Sequence, residues 1–323
     1  MEKLDEIIGL LDRVKGRFCK SLGIADFEVR IRDDFRTSSP EANSLAILIP
    51  EQYILYLDKI SELIFSSKEI FKGLGDASKE TLEIQEFKIS SKILTFDAFL
   101  KTNDLKDCQI QLTPNSKDRL EFSRVIASIM LTFSIFHELG HVRQLNYQPN
   151  NQKVITEDGD FESDLEECQI AEIDADIFAA DFIGFYIYWA LLSDSVPLGL
   201  TKKQFVHSVV YSIILLFYLL NNDDEIQSRK RHPHPLVRLN IITNFVEHLW
   251  IKNDYVASIE EFGSIIRCAI SDVNDTINSL FGKGEDYWSK FKNDEVRIEL
   301  DKFKGLVEKY PHLNFNRPCK LDY

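Results

Sequence analysis

Two histidines stand four residues apart in His137-Glu138-Leu139-Gly140-His141. On an α-helix that spacing puts both imidazoles on one face, one turn apart. Imidazoles so placed can share one metal ion, and the Glu138 carboxylate beside them can reach a water that the ion acidifies. A second set begins 172 − 141 = 31 residues further on, in Ala171-Glu172-Ile173-Asp174-Ala175-Asp176, with Ala179 following. Glu172 and Asp176 are again one helical turn apart, with small residues beside them that allow a close helix–helix approach. Glu172 then completes a three-ligand set and leaves a fourth position to water, the donor count of a catalytic zinc. Asp176 is suited to accept the free N–H of a ligating imidazole and so fix its tautomer. Face arithmetic turns Asp174 away from both carboxylates, which reads as a solvated side chain. Cys168, one turn before Glu172, is within reach of a metal there but reads first as a packed thiol, since Glu172 already fills the ligand role.

Such a set needs rigid supports. The central helix is expected to start near Asp118, with Glu121 closing a capping box. From 120 to 139 it is apolar nearly all round, the pattern of a helix buried on every side. Gly140 is unfavourable in a helix by about 1 kcal/mol relative to Ala, so its use is clearance for a neighbour. Ser163 and Glu166 read as the cap of the Glu172 helix, which runs to about 192. The polar, turn-rich stretch 146–161 links the two helices as a surface loop.

Upstream, helical periodicity covers 2–22, strict alternation marks a strand over 27–32, and 33–43 reads as a connection. A second strand over 44–49 is closed by Pro50. A helix over 51–71 ends at the Gly73 and Gly75 pair. The mixed stretch 76–113 offers a helix and strands near 86–93 and 108–112. Downstream, 197–201 breaks the chain before an apolar helix at 204–220. The prolines hold 232–235 extended, and helices follow at 236–251, 256–281 and 285–310. The expected class is α+β, mostly helical, with a small sheet beside the metal-binding helix. The expected division is a main domain over 1–250 and a helical extension over 251–323, or one domain throughout.

The two motifs together resemble the gluzincin metallopeptidases, HExxH enzymes whose third zinc ligand is a Glu on a following helix. His232-Pro233-His234-Pro235, with Arg238 four residues after His234, is similar to an element of the HtpX-type peptidases and their soluble relatives. It also fits the phage-exclusion, Lit-like metallopeptidases. The resemblance covers roughly residues 120–245. It implies a zincin-like core, a Zn2+ ion held by His137, His141 and Glu172, and hydrolysis of a peptide bond in a protein or peptide. Glu138 is then the general base, and His232, with His234 as second choice, the donor to the oxyanion. Arg238 is expected to anchor the loop through a carboxylate such as Asp176 or Asp181. The small sheet of such domains pairs its edge strand with the substrate, and either strand found here is a candidate for that edge.

Composition narrows the alternatives. A net charge of −14 speaks against a nucleic-acid partner, which needs a basic face. Five cysteines, at 19, 108, 168, 268 and 319, show no paired spacing and read as reduced thiols of a cytoplasmic protein. The charged, amphipathic N-terminal stretch has no signal-peptide pattern. The apolar run 205–220 is short for a membrane span and carries His207, Ser208 and Ser212, so it reads as a core helix. A membrane-associated peptidase, a catalytically silent zinc-site protein and a helical protein with an accidental motif remain as rivals. An intact Glu138 argues against the silent site, which has no use for that carboxylate.

Overall fold

The computed structural model describes residue 19 and residues 26–32, 40–42, 46–72, 74–80, 113–147, 162–192, 197–220, 233–252, 254, 256–281 and 294–309. Within these, the chain is mostly helical with one three-stranded sheet. The strands are β1 (Glu28–Arg32), β2 (Glu41–Ala42) and β3 (Ala46–Pro50). The helices are α1 (Glu51–Phe65), α2 (Lys117–Tyr147), α3 (Glu162–Leu192), α4 (Lys202–Leu219), α5 (Pro235–Lys252), α6 (Ile259–Phe281) and α7 (Asp294–Lys309). The expected helix over 2–22, the strands near 86–93 and 108–112, and the loop after 147 lie outside the described residues; only Cys19 of the first is described, as helical.

Strand β3 is central, parallel to β1 and antiparallel to the two-residue β2. Its pattern Ala46-Ile47-Leu48-Ile49-Pro50 is buried on both faces except at Leu48, as a middle strand requires. This corrects the sequence reading twice. The strand over 44–49 is not an edge, and the connection 33–43 contains a short strand that composition hid. Both β2 and β3 contact α2, so the sheet does lie beside that helix. Pro50 ends β3 and serves as the N-cap of α1. Helix α1 stops at Phe65, well before the glycine pair, where the carbonyls of Phe65, Ser67, Ile70, Phe71 and Leu74 turn to the buried Arg119 side chain.

Helix α2 runs through the middle of the protein, with α1, α3 and α4 packed around it. Ile126, Ile129, Met130, Phe133, Ile135 and Leu139 are all at most 2% exposed. Each such side chain contributes about 1.5–3 kcal/mol of burial free energy, which is why this helix forms where its own amphipathicity is negligible. Its 117–144 stretch is the one among the described residues long and apolar enough to cross a membrane by composition, and 78% of that apolar window is buried inside the protein. It starts at Lys117, so Asp118 sits inside the first turn and is not the cap expected from the sequence. Ser163 likewise falls inside α3, which begins at Glu162.

The apolar run at 205–220 forms α4, buried along nearly its whole length and opened by a capping box between Thr201 and Gln204. Helix α6 lies along α4, and α7 touches α5 and α3, so both contribute to the same core. Pro235 is the first residue of α5 rather than the last of an extended segment, a position where proline's fixed φ and missing N–H cost nothing.

Candidate metal centre

The site forms where α2 and α3 come closest. A Cβ built on Gly140 would stand 2.8 Å from Ala175 Cα, a distance no real side chain tolerates, so this glycine provides the clearance. The contact falls between His137 and His141 on one helix and between Glu172 and Asp176 on the other. Three ligand atoms, one each from His137, His141 and Glu172, lie within 4.8 Å of one another. The closest separations are 3.2 Å between the two Nε2 atoms, 3.3 Å from His137 Nε2 to Glu172 Oε2, and 3.4 Å from His141 Nε2 to Glu172 Oε1. Glu172 is buried, and the imidazoles are only slightly exposed.

Hydrogen bonds behind the imidazoles decide what those atoms offer. Asp176 Oδ1 lies 2.9 Å from His137 Nδ1. Asp176 is fully buried, and Arg238 grips it twice, Nε to Oδ2 at 2.6 Å and Nη2 to Oδ1 at 2.7 Å. Burial alone would raise the Asp176 pKa, but the Arg238 guanidinium outweighs it and keeps the carboxyl below its usual range. An ionised Asp176 can only accept, so His137 carries its hydrogen on Nδ1 and turns a lone pair inward at Nε2. His141 Nδ1 lies 2.9 Å from Gln144 Oε1, with Nε2 turned toward His137 and Glu172.

Three acceptors therefore converge on one point, and such a cluster needs a cation or protons between them. Burial pulls the pKa of His137 down, yet Asp176 and Glu172 together hold it up at about 10. His141 is pushed up in the same way, with Glu172 overcoming burial. The group could hold a metal ion, and two imidazole nitrogens with a carboxylate oxygen are a suitable donor set. Glu138 is buried next to them, and that burial lifts its carboxyl above the ordinary carboxylate range.

Of the other residues singled out in the sequence, Arg238 meets Asp176 rather than Asp181. His232 lies outside the described residues. His234 is buried, and its Nδ1 accepts the Leu236 N–H at 3.1 Å, so it caps the first turn of α5. Asp174 is not solvated. It is 4% exposed and bonds both Arg143 and Gln144. Measuring from Glu172 misled the sequence reading, because the helix contact is centred on Ala175. Asp174 and Asp176 flank that residue at about 100° on either side, and the close approach brings both to α2. An Asp-Ala-Asp bracket facing a glycine was the available signal. Cys168 is half-buried on α3.

Among known proteins, no family model, no curated protein and no solved structure matches the chain, so what the site does is read from its own residues.

Proposed function

We propose that the chain is a zinc-dependent endopeptidase, with His137, His141 and Glu172 as zinc ligands on a zincin-like core. The observation that carries this is the ligand triangle of 3.2, 3.3 and 3.4 Å. Donors bound at about 2.0–2.2 Å to one tetrahedral ion stand about 3.3–3.6 Å apart, so the site has the size of a zinc shell. The donor set also leaves a fourth position for reactants, unlike a closed structural site. Zinc there supplies Lewis acidity, which polarises a carbonyl and makes a water acidic near neutral pH.

The chain's own residues do the rest. Asp176, held by Arg238, keeps His137 oriented. Glu138 takes the water's proton on a carboxylate oxygen and returns it to the leaving amine nitrogen; a pKa raised by burial suits a group that must do both. His232 is our first choice for donating a hydrogen bond to the oxyanion. His234 is the second, and because its Nδ1 accepts the Leu236 N–H, its ring hydrogen is on Nε2. A protein or peptide is the substrate, and the compartment is the cytoplasm. Both rest on the motifs and composition.

The test is proteomic identification of cleavage products made by wild type against Glu138→Gln. The variant should keep its metal and fold but lose at least a hundredfold in turnover, since an amide cannot accept the proton. An active Glu138→Gln protein would sink the mechanism. Run on His232→Ala and His234→Ala, the same assay should show a loss of two to three orders of magnitude in one of them, about 3–4 kcal/mol. If neither is impaired, the oxyanion donor lies elsewhere.

A further inference from the structure

Gln144 sits one turn beyond His141 on α2 and takes no part in the proposed hydrolysis. Its side-chain amide is nevertheless held on three sides. Nε2 donates to the Ala171 carbonyl at 2.8 Å and to Asp174 Oδ2 at 2.9 Å, while Oε1 faces His141 Nδ1 at 2.9 Å. Both partners of Nε2 are acceptors, so reversing the amide would set oxygen against oxygen on that side. With the amide fixed in this sense, Oε1 can only accept, and His141 Nδ1 must carry the ring hydrogen.

Asp174 is fixed in turn by Arg143, whose guanidinium carbon stands 4.6 Å from the centre of the Phe178 ring. The arrangement parallels the support of His137. There Asp176 is fixed by Arg238, whose guanidinium carbon lies 5.0 Å from the Phe217 ring centre. Each imidazole is thus backed by an aspartate, an arginine and a phenylalanine. The difference is that a neutral amide is interposed at His141.

We propose that Gln144 is a positioning residue for His141. Its amide, oriented by Asp174 and the Ala171 carbonyl, fixes the imidazole in the Nδ1–H tautomer and leaves Nε2 free to ligate. The amide selects the tautomer without placing a second carboxylate directly behind a ligand. The site keeps one anionic ligand, Glu172, so a divalent ion bound there retains a net positive charge with which to acidify water.

This inference rests on the zinc reading and is tested so that the two can fail separately. Zinc affinity is measured by competition with a chromophoric chelator. The ring-nitrogen chemical shifts of His141 are read by NMR in the zinc-loaded chain. Both are done on wild type, on Gln144→Leu, and on the charge-conserving pair Gln144→Glu/Asp174→Asn. In the pair an acceptor again faces His141, and a neutral amide can donate to it from position 174. Wild type should show a protonated Nδ1. Gln144→Leu should bind zinc about 10- to 100-fold more weakly, and the pair should recover most of that loss. Unchanged affinity in Gln144→Leu, or a loss that the pair does not recover, would overturn the tautomer role. So would an unprotonated Nδ1 in wild type, a result that needs no variant to fold. A wild-type chain that binds no zinc would refute the zinc reading, and this inference with it.

Discussion

The two ends of α2 each bury a cluster of polar groups, and they do so on opposite terms. Near the start, Arg119 is completely buried, and its guanidinium gives hydrogen bonds to the carbonyls of Phe65, Ser67, Ile70, Phe71 and Leu74. A guanidinium has five N–H groups, so five carbonyls close the account on both sides. Glu80, 3.6 Å away, accepts the Asn115 and Ser116 N–H groups at the helix entry. About two turns past the middle, the His137, His141 and Glu172 atoms meet, and the nearest guanidinium, that of Arg238, stands 3.8 Å from Glu172 Oε2 while gripping Asp176. A cluster that only holds the fold together completes itself with its own residues. One that leaves three ligand atoms within 4.8 Å of one another could hold a shared metal ion.

The contrast can be broken first at the structural end. Arg119→Leu should lower stability by about 3–5 kcal/mol in urea denaturation, because several buried carbonyls lose their donor and Glu80 loses its neighbouring cation. A loss under about 1 kcal/mol would mean that these five carbonyls are not held by this side chain.

At the other end, Asp176→Ala should act chiefly on the metal. It frees His137 to change tautomer and leaves Arg238 buried without its main partner. Zinc affinity is expected to fall about 10- to 100-fold, or roughly 1.4–2.7 kcal/mol, in chelator competition. An unchanged affinity would show that the carboxylate behind His137 does not tune the site.

Gly140→Ala probes the seam that brings the two helices together. The added methyl meets the Ala175 backbone, which has no rotamer to turn aside. Overpacking of about 1–3 kcal/mol should outweigh the roughly 1 kcal/mol that alanine gains in helix propensity. The expected result is a lower thermal midpoint by a few degrees, and a higher one would mean that the helices separate freely there.

Much of the candidate site was legible because it is written in short-range spacing. His137 and His141, Glu172 and Asp176, and the small Gly140 and Ala175 are all set by the helical period alone. The pairing of Arg238 with a carboxylate followed from chain order and a stiff Pro233–Pro235 segment. The rest depends on neighbours that one helix does not announce. Asp174 is buried because the contact line runs through Ala175, and Gln144 matters only because Ala171 and Asp174 orient it. Arg119 passed unremarked, since its five partners are backbone carbonyls that carry no side-chain signature. Strand β2 is two residues long, too short to show an alternation.

The most direct test of the metal centre is the metal content of the purified chain by elemental analysis, wild type beside the His137→Ala/His141→Ala double variant. About one zinc per chain in wild type and almost none in the double variant is the expected result, since the carboxylate of Glu172 alone does not hold the ion. A wild-type chain without zinc after loading, or a double variant that keeps full occupancy, would contradict it.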